Sequence, residues 1–142
     1  MKTHSNPTPR EHFSFVLNIE NHQVFLFGGY YCTPLCDAEY NYNQLFRLGL
    51  NDLKWTIVEL VGESPKGRCM HSMEIINGLL WVFGGKWMNN NKTEVFNDLW
   101  HVDVDITAPK LKWTKTQVSG KGPCARYAHA SCSCNFVFVK KN

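Results

Sequence analysis

Arginine, histidine, cysteine and aspartate are the side chains here with chemistry to offer, and their spacing sorts them. Arg68-x-x-His71 recurs as Arg126-x-x-His129, 58 residues on. Each pair lies inside a longer pattern, Gly62-x-x-Pro65-x-x-Arg68-x-x-His71 and Gly120-x-x-Pro123-x-x-Arg126-x-x-His129, with every internal spacing kept. Such a pair invites a catalytic reading. A catalytic group, however, is needed at one site, whereas a structural group is needed in every copy of a repeat. Recurrence therefore assigns these residues to packing and hydrogen bonding, with arginine bridging loop carbonyls through its five donors. Metal ligation has no better start: Cys32-x-x-x-Cys36 and Cys132-x-Cys134 lack the paired C-x2-C spacing of structural zinc sites. Cys132 and Cys134 are expected on a strand as small buried thiols, and Cys32 and Cys36 in a loop where oxidation could join them. No G-x-S-x-G, G-x-x-x-x-G-K or H-E-x-x-H occurs. The residues point to no catalytic, cofactor-binding or metal site.

Bulk properties narrow the classes further. The net charge of +3 is scattered, and the only adjacent basic pair is Lys140–Lys141, whereas a nucleic-acid binder clusters its lysines and arginines. No run approaches the roughly 20 apolar residues of a membrane helix. The first fifteen residues are polar, contain two prolines and lack the apolar core of a secretory signal, so the expectation is a cytoplasmic chain with free thiols. The sequon Asn91-Lys92-Thr93 would then be idle. With 44% hydrophobic and 13% aromatic residues against 19% charged, disorder is excluded and strands are favoured over helices.

The elements that position these residues also repeat. Trp55-Thr56 returns as Trp113-Thr114, Phe27-Gly28-Gly29 as Phe83-Gly84-Gly85, and Asn43-Gln44-Leu45-Phe46 as Asn97-Asp98-Leu99-Trp100. Pro7-x-x-Arg10-x-x-Phe13 keeps the proline and arginine spacing but has Phe where His is expected. Each unit reads as four short strands: 14–19, 24–27, 44–50 and 53–60, then 72–76, 79–83, 96–104 and 111–118. Asn77-Gly78 between two apolar runs is a strong hairpin signal. A four-stranded antiparallel meander of this length is a propeller blade, which buries its faces only against neighbours.

Phe-Gly-Gly, Asn97-Asp98-Leu99-Trp100, the later Trp113 and the Pro-x-x-Arg-x-x-His-Ser run at 65–72 together resemble kelch repeats. Gly49, where the second unit has Asp103, and Phe13 depart from the pattern. The resemblance implies an all-β kelch propeller with two complete blades, the first strand pair of a third at 130–134 and 136–139, and an open ring. The divisions are an N-terminal segment 1–12, blade 1 at 13–60, a connection 61–71, blade 2 at 72–118, and a connection with truncated blade 3 at 119–142. Gly28, Gly29, Trp55, Arg68, His71, Gly84, Gly85, Asp98, Trp100, Trp113, Arg126 and His129 are then scaffold, the tryptophans filling the wedge between blades with the indole N–H on a carbonyl. Asp98 is expected to fix its own turn through backbone bonds.

Partner binding falls to residues that do not repeat. Loops joining strands 2 and 3 and the inter-blade connections emerge on one face. They carry Tyr30, Tyr31, Tyr40, Tyr42, Lys66, Lys86, Trp87, Met88 and Tyr127, of types enriched at protein interfaces. The expected function is a protein-interaction module, scaffold or adaptor. The alternatives are the non-catalytic part of a propeller oxidase or metal-dependent enzyme, and a truncated product. Two and a half blades leave strand edges exposed. A longer parent is the preferred explanation, and self-association of copies, three of which would supply six blades, is the other.

Overall fold

The computed structural model describes residues 6–35, 37–104, 108 and 110–133. Strands β1 (Ser14–Asn18), β2 (Gln23–Phe27), β5 (Leu45–Gly49) and β6 (Lys54–Ile57) form one antiparallel sheet in the order β1-β2-β5-β6. Strands β8 (Ser72–Ile76), β9 (Leu79–Phe83), β12 (Leu99–Asp103) and β13 (Leu111–Lys115) form the second in the equivalent order. Asn77 and Gly78 turn between β8 and β9 with φ of 51° and 75°, the left-handed pair that a two-residue hairpin requires. These are the two blades of the all-β propeller expectation, and no helix among the described residues is long and apolar enough to cross a membrane.

Strand ends differ in instructive places. The strand expected over 53–60 stops at Ile57. Leu60–Val61 (β7) instead crosses to the second sheet and pairs in parallel with Leu111 and Lys112 of β13. The connection thereby staples the outer edge of the next blade. The strands expected over 96–104 and 111–118 are shorter, Leu99–Asp103 and Leu111–Lys115; Phe96 instead bonds Gly85 and the following connection at Arg126, and Thr116 donates back to Leu99. Of the expected third strand pair, Cys134 and 136–139 lie outside the described residues. Ser131 donates to Glu74 Oε1, so the chain runs on beside β8. Cys132 is exposed rather than buried, and Cys36 lies outside the described residues.

The core lies between the two sheets. Phe25, Phe27 and Leu45 of the first blade meet Met73, Leu80, Val82, Trp100, Val102 and Trp113 of the second. Each such side chain removed from water contributes about 1.5–3 kcal/mol, which makes this junction the main source of stability. Trp113 packs 5.2 Å from Phe27 and fills the wedge, but its indole N–H has no hydrogen-bond partner among the described residues. The indole that does find an acceptor is that of Trp100, on Asp98 Oδ2 at 2.7 Å. Trp55, the counterpart of Trp113, packs edge-on to Phe46 of its own blade and stays half-buried.

The double glycines explain the remaining spacing. A Cβ on Gly28 would lie 2.6 Å from the Arg68 carbonyl and 2.7 Å from His71 Cε1; on Gly84 it would lie 2.7 Å from the Arg126 carbonyl. The Arg-x-x-His segment of the following connection crosses the glycine backbone at contact distance, and only glycine leaves room there.

Candidate interaction face

The arginines turn out to be rivets between a connection and the blade that follows it. The Arg68 carbonyl accepts from Gly29 N–H of blade 1 at 2.8 Å. Its guanidinium, wholly buried, donates to the Gly84 carbonyl at 2.8 Å and grips Asp98 of blade 2 through both oxygens, at 2.6 and 3.0 Å. Burial alone would raise the Asp98 carboxyl; the bonds and charge of Arg68, with the Trp100 N–H, outweigh it and hold the group below its ordinary value. Asp98 therefore anchors a neighbouring connection and the Trp100 indole instead of the backbone of its own turn. Arg10 repeats the arrangement with a neutral acceptor, bonding the Gly28 carbonyl at 3.0 Å and Gln44 Oε1 at 3.2 Å. His71 lies edge-on to Phe27 with no well-formed hydrogen bond on either ring nitrogen. Burial, then the charges of Arg68 and His129, lower its pKa to about 3. His129 repeats the ring packing on Phe83.

Around these rivets the connections between strands 2 and 3 are not loops. Tyr30–Cys32 (β3) and Glu39–Asn41 (β4) make one two-stranded ribbon, and Lys86–Asn89 (β10) and Lys92–Val95 (β11) another. Tyr31 faces Tyr40 across the first ribbon, and Tyr42 follows two residues later on the same side. Their rings run in series with centroids 6.3 Å apart, capped by the Arg10 guanidinium 4.0 Å over Tyr42. Tyr30 points the other way. It is 6% exposed with its hydroxyl on Glu39, so it supports the ribbon and is not part of the surface.

The second ribbon carries Trp87, with Lys66 Nζ 4.2 Å above its ring and paired to Glu94. That ion pair depresses the Glu94 carboxyl, chiefly through the hydrogen bond from Lys66. Lys86 lies 4.5 Å over the ring of Tyr127, which is 45% exposed. Met88 has a different importance. The Asn41 side chain donates to its carbonyl at 2.7 Å and accepts from its N–H at 3.2 Å, and so stitches one ribbon to the other. Gly67 passes so close to the Asn41 carbonyl that a Cβ there would sit 2.1 Å from it. No sequence cue marks Asn41, since it belongs to no repeated motif. Gln44 and Asp98, by contrast, were recoverable from their matched positions beside the leucines.

Behind the second ribbon lies a cleft of about 610 Å³ lined by Lys66, Glu94, Phe96, Asp98, Trp100 and Lys115. The surface is therefore aromatic rings with fixed cations beside a polar cleft, which suits recognition of another molecule's side chains. No cluster of three metal-ligating side chains exists among the described residues.

Comparison with known proteins agrees with this architecture. The family model for the KLHDC2/KLHL20/DRC7 kelch-repeats domain matches residues 1–140. The Rab9 effector protein with kelch motifs of Bos taurus is 32% identical over 120 residues, covering 84% of this chain and 29% of that protein. Kelch domain-containing protein 3 of Rattus norvegicus is 28% identical over 135 residues, covering 92% and 33%. The solved structure of YjhT superposes with a TM-score of 0.53 at 24% identity, over 78% of this chain and 27% of that one. The chain thus spans a third or less of the length of these relatives. With the glycine-crossing rivets present twice and the family model matched along nearly its whole length, this chain belongs to the KLHDC2/KLHL20/DRC7 kelch-repeat family.

Proposed function

We propose that the chain is a protein-interaction module, part of a scaffold or adaptor, whose partner sits on the two stitched ribbons and the adjoining connections. One observation carries the reading. Asn41 ties β4 to β10, so that the Tyr31–Tyr40–Tyr42 series and the Lys66–Trp87–Glu94 group are held on one continuous platform. Rigid aromatic anchors lose little entropy on binding and dominate the energetics of protein interfaces. Kelch repeats in relatives support the same class, one of them named as an effector of Rab9.

The test is capture of a partner by the immobilised chain, compared with Tyr40→Ala and Trp87→Ala. Tyr40 is 49% exposed and Trp87 half-buried beneath Lys66, and neither belongs to the core between the sheets, so unfolding in urea should shift little. A hot-spot aromatic is worth at least about 2 kcal/mol, so each substitution should weaken capture by about thirtyfold. Undiminished capture by both variants would remove the platform from the interface.

A further inference from the structure

We infer that Gly67 is the positioning residue of the two-ribbon platform. Having no side chain, it admits the carbonyl of Asn41 against the connection, and this close approach lets the Asn41 amide reach Met88. A partner that touches both ribbons then reads their fixed placement. That last step rests on the platform being the binding face; the fit of ribbon against connection does not.

Three consecutive residues of the connection have separate tasks at this junction. Lys66 lies over Trp87 and pairs with Glu94, both on the second ribbon, while its carbonyl accepts from Arg68 Nε at 3.1 Å. Arg68 N–H donates to the Tyr42 carbonyl at 3.1 Å, just past the first ribbon, and its guanidinium enters blade 2. Gly67, between them, is buried. A Cβ there would overlap the Asn41 carbonyl oxygen and lie 2.8 Å from the carbonyl carbon. Gly67 does not take the left-handed conformation of Gly28 and Gly84, so the close approach, and not φ, is what requires glycine.

The repeat supplies its own control. Pro9 and Ala125 stand at the positions matched to Gly67, and Val95 at the position matched to Asn41. Arg126 N–H bonds the Phe96 carbonyl as Arg68 N–H bonds that of Tyr42, so the two crossings share their backbone bond. Ala125 nevertheless carries the Cβ that Gly67 lacks. The Val95 carbonyl therefore does not take the place beside Ala125 that the Asn41 carbonyl takes beside Gly67. Glycine and asparagine depart from the repeat at the same crossing, and both departures serve one contact. Asn41 then holds the Met88 carbonyl at 2.7 Å and the Met88 N–H at 3.2 Å. The tyrosine series and Trp87 are aligned before any partner arrives, which removes the entropy cost of aligning them on binding.

Amide hydrogen exchange on the intact chain tests this with no partner present, because Met88 N–H donates to Asn41 and its protection reports the stitch. Gly67→Ala installs the residue that position 125 already has. It should speed Met88 exchange by about tenfold, the worth of one lost hydrogen bond, and leave the buried β9 amides of Leu80 and Val82 protected. The double variant with Asn41→Val should exchange at Met88 no faster than Asn41→Val alone, since Gly67 acts through Asn41. Unchanged Met88 exchange in Gly67→Ala overturns the proposal, as do effects that multiply in the double variant. If Gly67→Ala alone unfolds the chain, the double variant decides. Released by Asn41→Val, the first ribbon can move off the new methyl and the chain folds; a double variant that is also unfolded overturns the proposal. Partner capture should weaken in Gly67→Ala. Capture lost in Tyr40→Ala but kept in Gly67→Ala overturns the claim that the placement is read. Capture indifferent to both Tyr40→Ala and Trp87→Ala removes the platform reading instead, and Met88 exchange still judges Gly67.

Discussion

Removing the Asp98 carboxylate is the severest test of the rivet between connection and blade. Arg68 has no exposed surface, and its guanidinium is satisfied by the two Asp98 oxygens, the Gly84 carbonyl and the Lys66 carbonyl. Asp98→Ala leaves that cation buried without a counter-charge, which costs about 3–5 kcal/mol. The Trp100 indole loses its acceptor as well, adding about 1 kcal/mol. A domain has only about 5–15 kcal/mol in total, so this single change should take most of it. Gln44→Ala removes the matched acceptor in blade 1, where the half-buried Arg10 faces a neutral amide, and should cost only about 0.5–1.5 kcal/mol. Urea unfolding followed by tryptophan fluorescence compares the two. The sign in acid follows from the same geometry. The Asp98 carboxyl lies below its ordinary value of 3.8 in the fold, so the unfolded chain takes up the proton first as pH falls. Its contribution is complete above that value and is lost as pH falls through the lower, folded one; Asp98→Ala should lack this loss. A cost for Asp98→Ala no larger than that for Gln44→Ala would refute the rivet.

Two further predictions rest on the glycines and on His71. Gly28→Ala and Gly78→Ala both place alanine at positive φ, +70° and +75°, which costs about 1–2 kcal/mol, but only Gly28 meets another backbone, at 2.6 Å. Gly28→Ala should therefore cost about 1–3 kcal/mol more in urea unfolding, and equal costs would mean the Arg68 segment does not cross there. His71 is held neutral to about pH 3 by burial and the charges of Arg68 and His129, whereas the unfolded ring protonates near 6.5. Stability should fall by about 2 kcal/mol from this residue between pH 7 and pH 5, and His71→Phe should flatten that slope. An unchanged slope would show that the ring titrates normally.

The blades were legible in the sequence because repetition multiplies each signal. Asn77-Gly78, the paired double glycines and the tryptophans are local cues, and each strand needed only a period of two and a turn at its end. What was illegible depended on contacts far apart along the chain. Asn41 and Met88 are 47 residues apart and share no motif, so nothing local marks their bond. In sequence the ribbons β3/β4 and β10/β11 look like loops because their polar residues and short strands resemble turn chemistry. Tyrosine type says nothing of direction, so Tyr30 looks like surface; the alternation that turns Tyr31 outward turns Tyr30 in. Asp98 points to its own turn in sequence because nothing local shows a guanidinium arriving from the preceding connection.

The division between repeated and unrepeated residues also separates the scaffold from the stitch between the ribbons. Arg10 and Arg68 each rivet a connection to the blade that follows it, and the Arg68 and Arg126 segments each cross a double glycine. The Asn41 stitch is different. Tyr42 and Phe96 occupy matched positions, each donating its N–H to the second glycine of its blade and each accepting from the following arginine. The residue matched to Asn41 is therefore Val95, whose side chain has no amide to bond a further ribbon. Asn41 therefore joins these two ribbons through a side chain that Val95 does not repeat. A change at Arg68 or Gly28 alters every property that depends on folding, whereas a change at Asn41 should separate the ribbons while the sheets beneath keep their register.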